Sequence, residues 1–114
     1  MDEKILKWLY DIKAAIVEID SYFEDFPKDF YQYKSNTLFK RAAERDLEII
    51  GEAINRILKQ NENFPIENAK RIVGLRNQII HAYDNISDEN IWAILIKHVP
   101  NLKVEINKLI EGSE

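Results

Sequence analysis

Apolar side chains recur at spacings of three and four residues along most of the chain, the pattern of amphipathic helices. We predict one long helix over residues 2–24 and another over residues 37–60. The aromatic connection between them is expected to hold one short helical turn around Phe30 and Tyr31. The predicted buried stripes are Ile5, Leu9, Ile12, Ile16, Ile19 and Phe23 in the first helix, and Phe39, Ala42, Ala43, Ile50, Ala53, Ile54 and Ile57 in the second.

The second half of the chain continues the helical pattern. A third helix is predicted over residues 66–83, because Pro65 is suited to a first helical turn. Ser87 is a good N-cap for a fourth helix, which Pro100 is expected to break or kink before helix resumes over residues 101–111. Short connections between long amphipathic helices predict an all-α, antiparallel bundle of four to five helices.

Composition narrows the possible classes of protein. The 114 residues are expected to form a single domain, residues 1–114, whose hydrophobic share of 46% is that of a folded globular chain. The absence of cysteine excludes disulfides, thiolate catalysis and cysteine-based zinc sites. No secretory signal or membrane-spanning run is visible, so we expect a cytoplasmic protein with no membrane contact. Because the net charge is −4, any contact with RNA requires a local basic patch or a partner.

Two charged residues fall within the apolar arcs of their predicted helices. On a helical wheel, Asp46 lies beside Phe39, Ala53 and Ile57, and Arg76 falls within the apolar arc of the third helix. A buried charge is costly unless it is paired, so we predict that Asp46 accepts a hydrogen bond from Arg76. The alternative is that both side chains reach water at the edges of wide stripes.

The segment Arg76-Asn77-Gln78-Ile79-Ile80-His81-Ala82-Tyr83 carries most of the candidate chemistry. The unperturbed pKa of histidine, about 6.5, makes His81 the natural proton-transfer group at neutral pH. Asn77 lies four residues before His81 and can reach its imidazole. The ordinary interpretation of His81 is a cation favoured at a helix C-terminus, and that of Tyr83 is a ring that closes the core.

This segment resembles the R-x4-H-x-Y motif of HepT-like toxins, within the HEPN superfamily. The resemblance extends to Glu44–Ala53 in the second helix, and to Ile91-Trp92 and Val99–Leu102 near the C-terminus. It covers nearly the whole chain with matching order and spacing. The weakest match is the aromatic connection from about residue 24 to residue 36.

The resemblance implies a HEPN-like helical bundle that forms a homodimer with its two motifs facing each other. It implies a metal-independent endoribonuclease without a cofactor, which cleaves RNA (transfer RNA is one candidate) as the toxin of a toxin–antitoxin pair. Carried over by position, Arg76 and His81 are the catalytic pair, and Asp46 takes the place of a supporting polar residue on the second helix. Asn77 is a second supporting residue because of its spacing to His81. The expected antitoxin is a minimal nucleotidyltransferase that transfers AMP to Tyr83.

A second interpretation belongs to another functional class. The chain would then be a non-catalytic helical module that binds and regulates a nucleotidyltransferase or a nucleotide. Under that interpretation the motif residues hold a binding interface instead of performing chemistry. Cleavage of RNA that depends on His81 distinguishes the two.

Overall fold

The structure is a computed structural model that describes residues 1–67, 72–74, 77 and 87–113. These residues are mostly helical and include no β-strand, which confirms the predicted all-α fold. None of the described helices is both long and apolar enough to cross a membrane. The helices are α1 (Glu3–Asp25), α2 (Phe30–Ser35), α3 (Thr37–Gln60), α4 (Asp88–Ala93) and α5 (Val99–Glu111), with a π-helical turn (Ile94–His98) between α4 and α5.

Side-chain caps fix where four of these helices begin, and the cap of α2 is Asp29. Asp2 accepts hydrogen bonds from the backbone N–H groups at the start of α1, and Asn36 accepts one from Phe39 at the start of α3. Ser87 accepts a hydrogen bond of 3.1 Å from the Asn90 N–H, which confirms its predicted role as the N-cap of α4. Each cap satisfies N–H groups that the first helical turn leaves without an intrahelical partner.

The core lies where α1 packs antiparallel against α3. Gln60, the last residue of α3, donates a hydrogen bond to Asp2 at the start of α1. α5 packs on another side of α1, where Lys103 and Asp20 form an ion pair of 2.7 Å. The predicted stripes are buried except for Phe23 and Ala42, which are half-buried. Burial of these side chains, at about 1.5–3 kcal/mol for each large one, holds the two long helices together.

The predicted start of the third helix is wrong. Ile66 and Glu67 lie in a turn and not in a helix. The Ile66 N–H donates to the Phe64 carbonyl, and the Glu67 N–H donates to the Glu105 side chain over 2.6 Å. Both N–H groups are thus satisfied, and the residues that follow Pro65 directly form a turn instead of a helix. Residues 72–74 and 77 are helical, and the rest of the predicted range lies outside the described residues.

Of the break or kink predicted at Pro100, the break is absent. Helical backbone continues from α4 through the π turn into α5, and the Val99 N–H bonds to the Ile94 carbonyl five residues earlier. Proline has no N–H, and its ring clashes with the carbonyl four residues before it in a regular α-helix. The wider π turn accommodates that ring next to Pro100, so helical backbone continues without a regular α-helical bond at this point.

Candidate functional site

α1 and α3 border an open groove of about 320 Å³. Small and apolar side chains contributed by both helices form part of its lining, and four carboxylates and one arginine line the rest. The groove therefore combines an apolar surface with concentrated negative charge. Its lining residues are Trp8, Asp11, Ala14, Ala15, Glu18, Asp46, Ile49, Glu52, Ala53 and Arg56.

Asp46 is the charged residue buried most deeply among those the structure describes. Only 2% of its surface is exposed, so the prediction that it lies on the buried face of its helix is confirmed. The alternative, in which its carboxylate reaches water at the edge of the stripe, is wrong for Asp46. Burial raises the pKa of Asp46 to about 6, and the nearby charge of Glu18 adds to this, while Tyr22 and Arg45 lower it.

The observed partner of Asp46 is Tyr22 on α1. The Tyr22 hydroxyl lies 2.5 Å from Asp46 Oδ2 and 2.9 Å from Glu18 Oε1. Burial, and then the hydrogen bond to Asp46, raise the pKa of Tyr22, so its hydroxyl remains a donor at neutral pH. The wheel of one helix did not identify Tyr22 or Glu18, because the contact depends on the register between α1 and α3. An available signal was the four-residue spacing of Glu18 and Tyr22, which places both on one face of α1.

The outer carboxylates of the groove are already paired with cations. Asp11 lies 2.9 Å from Lys7, and Glu52 lies 2.8 Å from Arg56. Among the described residues, no lysine or arginine nitrogen lies within 4.0 Å of Asp46. The buried carboxylate is thus suited to accept a cation that the described part of the chain does not supply.

Most of the predicted motif lies outside the described residues. This holds for Arg76, His81 and Tyr83, and therefore for the predicted pairing of Asp46 with Arg76. Asn77 is described as a helical, exposed residue, and Ile72, from the same predicted helix, is 8% exposed and belongs to the core.

The described residues on either side of the motif lie at opposite ends of α3. Phe64 borders a shallow pocket with Gln60 and the N-terminus of α1. On the other side of the motif, Asp88 lies 3.3 Å from Lys40, in the first turns of α3. The chain thus leaves one end of α3 before the motif and returns to the other end after it, and Asp46 lies between these points along α3.

A second group of charged residues surrounds this return point. Glu44 lies one turn after Lys40, and burial raises the pKa of its carboxyl group. The charges of Glu44 and Asp88 reach the buried Tyr33 hydroxyl, whose pKa is raised mainly by burial. In the described ranges, no three histidine, aspartate or glutamate side chains are grouped closely enough to hold a metal ion.

Comparison with known proteins identifies the family. The family described as "Ribonuclease HepT-like" matches residues 12–109. The chain is 34% identical over 110 residues to "Putative RNase MJ0125" of Methanocaldococcus jannaschii, covering 91% of this chain and 95% of that protein. It is 36% identical over 100 residues to "Putative RNase MJ1380" of the same organism, covering 87% and 90%.

A bacterial protein gives a similar result. "Putative RNase TTE0752" of Caldanaerobacter subterraneus is 33% identical over 90 residues, covering 78% of this chain and 74% of that protein. No solved structure matches the chain. The family match spans most of α1 and all of α3 and α4, together with the R-x4-H-x-Y segment. The chain therefore belongs to the HepT-like ribonuclease family of the HEPN superfamily.

Proposed function

We propose that this chain is a metal-independent endoribonuclease, the toxin of a toxin–antitoxin pair, in which Arg76 and His81 form the catalytic pair. The observation that carries the proposal is the R-x4-H-x-Y segment, residues 76–83, inside the range that matches the ribonuclease family. The names of the relatives, putative RNases of similar length, support the same activity. The buried Asp46 carboxylate on α3 supports a charged site beside the helical bundle.

The chemistry follows from the substrate. RNA carries its own nucleophile, the 2′-hydroxyl, so cleavage requires a base for its proton, a cation for the phosphate and an acid for the leaving oxygen. Neutral His81 accepts the 2′-hydroxyl proton while that oxygen attacks phosphorus. The bond to the 5′-oxygen breaks, and this oxygen leaves with a proton from the acid. The products are a 2′,3′-cyclic phosphate and a 5′-hydroxyl, and no water or metal ion is consumed.

A two-fold dimer supplies the second proton-transfer group. One chain has a single motif histidine, and a base that has just taken a proton cannot also be the acid in the same step. In a symmetric pair with facing motifs, His81 of one chain is the base and His81 of the other is the acid. The two Arg76 guanidinium groups each offer a fork of donors to the phosphate oxygens. This concentration of charge explains how a chain with a net charge of −4 binds RNA locally.

Asp46 and Asn77 act in support. Asp46 accepts a hydrogen bond from Arg76 and fixes the guanidinium, which a catalytic cation requires. The described contacts of Asp46 leave room for this role, because its hydrogen bond comes from a neutral hydroxyl and no described cation is within 4.0 Å. Asn77, exposed on its helix, orients the His81 imidazole four residues later.

The partner that silences the enzyme is a minimal nucleotidyltransferase antitoxin. It transfers AMP to the Tyr83 hydroxyl, and the added group brings bulk and negative charge to the place where the RNA phosphate must bind. A transfer RNA is the first substrate to test. The proposed antitoxin and its transfer of AMP rest on the sequence motif, since Tyr83 completes the R-x4-H-x-Y pattern.

The direct test is cleavage of RNA by the purified chain, freed of any bound partner, in excess chelator. Transfer RNA and a mixed RNA panel are incubated with wild-type protein and with His81→Ala. We expect wild type to cut RNA and leave 2′,3′-cyclic phosphate ends, and His81→Ala to lose activity without a large change in melting temperature. His98→Ala is the matched control, because His98 is the other histidine of the chain and lies in the π turn.

Two results decide against the proposal. Activity that disappears in chelator would exclude the metal-independent mechanism. If wild type shows no cleavage that depends on His81, the enzyme proposal fails and the chain is a binding module for a nucleotidyltransferase or a nucleotide. Binding of a labelled nucleotide, measured on the same preparation, then tests that function.

A further inference from the structure

The Tyr22 hydroxyl connects two carboxyl groups that no described cation neutralises. Glu18 lies one turn before Tyr22 on α1, and Asp46 approaches from α3. Both carboxylates line the groove between the helices. The hydrogen bond between Tyr22 and Asp46 joins α1 to α3, and the two residues are 24 positions apart in the chain.

Proton counting limits how this cluster is arranged. A tyrosine hydroxyl has one proton to donate, whereas the two carboxylate oxygens lie 2.5 and 2.9 Å from its oxygen. The shorter distance is that of a charge-assisted O–H···O⁻ bond, so the proton points at Asp46. Glu18 then receives a weaker share of the same donor.

The ring of Tyr22 is held by packing, which fixes the donor. It meets the Phe39 ring edge to face, with centroids 5.7 Å apart. Phe39 is buried in the first turn of α3. The Tyr22 side chain is half-buried, so its hydroxyl cannot turn away from Asp46 without disturbing this contact. The hydrogen bond to Oδ2 restrains the Asp46 carboxylate and leaves its second oxygen available to another donor.

We infer that Tyr22 is a positioning residue of the proposed ribonuclease, whose hydroxyl holds the buried Asp46 carboxylate in the orientation that receives the motif arginine. The inference rests on the proposed function for the identity of that arginine, Arg76. The step from Tyr22 to Asp46 rests on the hydrogen bond and on burial alone. Tyr22 itself touches neither substrate nor reacting atoms in this scheme.

The Tyr22 hydroxyl also favours the charged form of Asp46. Burial and Glu18 raise the pKa of this carboxyl, whereas the Tyr22 hydrogen bond and the Arg45 charge lower it. The other charged groups of the same groove are Asp11, Glu52 and Arg56. Loss of the hydroxyl removes the only hydrogen bond described for Asp46, so Asp46 keeps its proton to a higher pH and binds a guanidinium less well.

The test compares wild type with Tyr22→Phe, which keeps the ring and removes the donor. We expect RNA cleavage, as kcat/KM at pH 7, to fall by about tenfold, the effect of one hydrogen bond to a charged group. The acid limb of the pH profile should move to higher pH, and NMR titration of the Asp46 side-chain carboxyl carbon should show a raised pKa. A purely structural role would change the melting temperature and leave both pH readouts in place.

Tyr31→Phe is the matched control, because Tyr31 is 79% exposed on α2. The inference is overturned if Tyr22→Phe retains the wild-type rate and acid limb while wild type cuts RNA through His81. Absence of His81-dependent cleavage in wild type overturns the proposed function first, and the positioning role with it. The carboxyl titration separates these failures, because an Asp46 pKa that is unchanged in Tyr22→Phe refutes the Tyr22–Asp46 step whether or not RNA is cut.

Discussion

The rings of Tyr33 and Trp92 pack against each other with centroids 5.1 Å apart and planes inclined by 33°. This contact joins α2 to α4, and Phe39 meets the same tyrosine ring edge to face at 5.3 Å. The Tyr33 side chain is 1% exposed, yet its hydroxyl has no hydrogen-bond partner in the described ranges. The aromatic connection between the long helices is therefore well packed but carries one unsatisfied polar atom.

We expect Tyr33→Phe to stabilise the protein. The substitution keeps both ring contacts and removes a buried hydroxyl whose desolvation is not offset, so the free energy of unfolding should rise by up to about 1 kcal/mol. Urea denaturation measures the change. Tyr31→Phe, at an exposed position, should leave stability unchanged. A loss of stability in Tyr33→Phe would mean that the hydroxyl has a partner in the folded protein.

The two long helices could be predicted from the sequence because their signals are local. The bounds of α3 agree with the predicted residues 37–60, since the apolar stripe covers this range, and in the structure Asn36 caps its start. The wheel also identified Asp46 as a charge on a buried face. Three- and four-residue periodicity depends on one helix alone, so it does not require knowledge of the partner helix.

The prediction errors arise mainly where the local structure or a contact depends on residues far away in the chain. The Glu67 N–H donates to the Glu105 side chain, 38 residues away, and nothing in the local sequence indicates this contact at the turn. Tyr22 was missed as the partner of Asp46 because the apolar pattern of a single helix does not indicate its register against the other helix. The π turn before Pro100 was missed because proline predicts a disturbed α-helix without indicating which form it takes.

Glu105 allows a prediction on pH and stability. Burial raises the pKa of its carboxyl, although its bond from the Glu67 N–H acts in the opposite direction. A carboxyl whose pKa is higher in the folded protein adds stability below its unfolded pKa, about 4.3, and loses it as pH rises through the folded value. Glu105→Gln keeps an acceptor and cannot ionise, so it should be more stable than wild type at pH 7.5.

The measurement is urea denaturation at pH 3.5 and pH 7.5. The difference between Glu105→Gln and wild type should be larger at pH 7.5. Glu111→Gln, at an exposed position in the last turn of α5, is the control. An equal difference at both pH values would show that the Glu105 carboxyl has the same pKa in the folded and unfolded chain.

The proposed pairing of Asp46 with Arg76 has a spectroscopic test. With Tyr22, Glu18 and Arg45 as its polar neighbours, burial raises the pKa of Asp46 to about 6. A guanidinium within hydrogen-bond distance stabilises the carboxylate, so removing it in Arg76→Gln should raise the pKa of Asp46 by about one unit or more relative to wild type. NMR titration of the Asp46 carboxyl carbon measures this difference.

Arg41→Gln is the control for a general change in charge, because Arg41 is an exposed residue of α3. It should leave the Asp46 titration within the error of wild type. Identical Asp46 titrations in wild type and Arg76→Gln would exclude the pair, and Asp46 would then be a buried carboxyl held by Tyr22 alone.

A mixing experiment tests whether two chains build one site. Wild-type and His81→Ala chains, each with its own tag, are unfolded together, refolded in equal amounts and assayed for RNA cleavage. If each dimer needs both histidines, only dimers with two wild-type chains are active, and activity should fall to about one quarter of an all-wild-type sample. His98→Ala chains in the same mixture should leave activity near the wild-type level. A fall to one half would mean that each wild-type chain cuts RNA on its own. With a composite site, the variant chain would instead inactivate its wild-type partner in every mixed dimer.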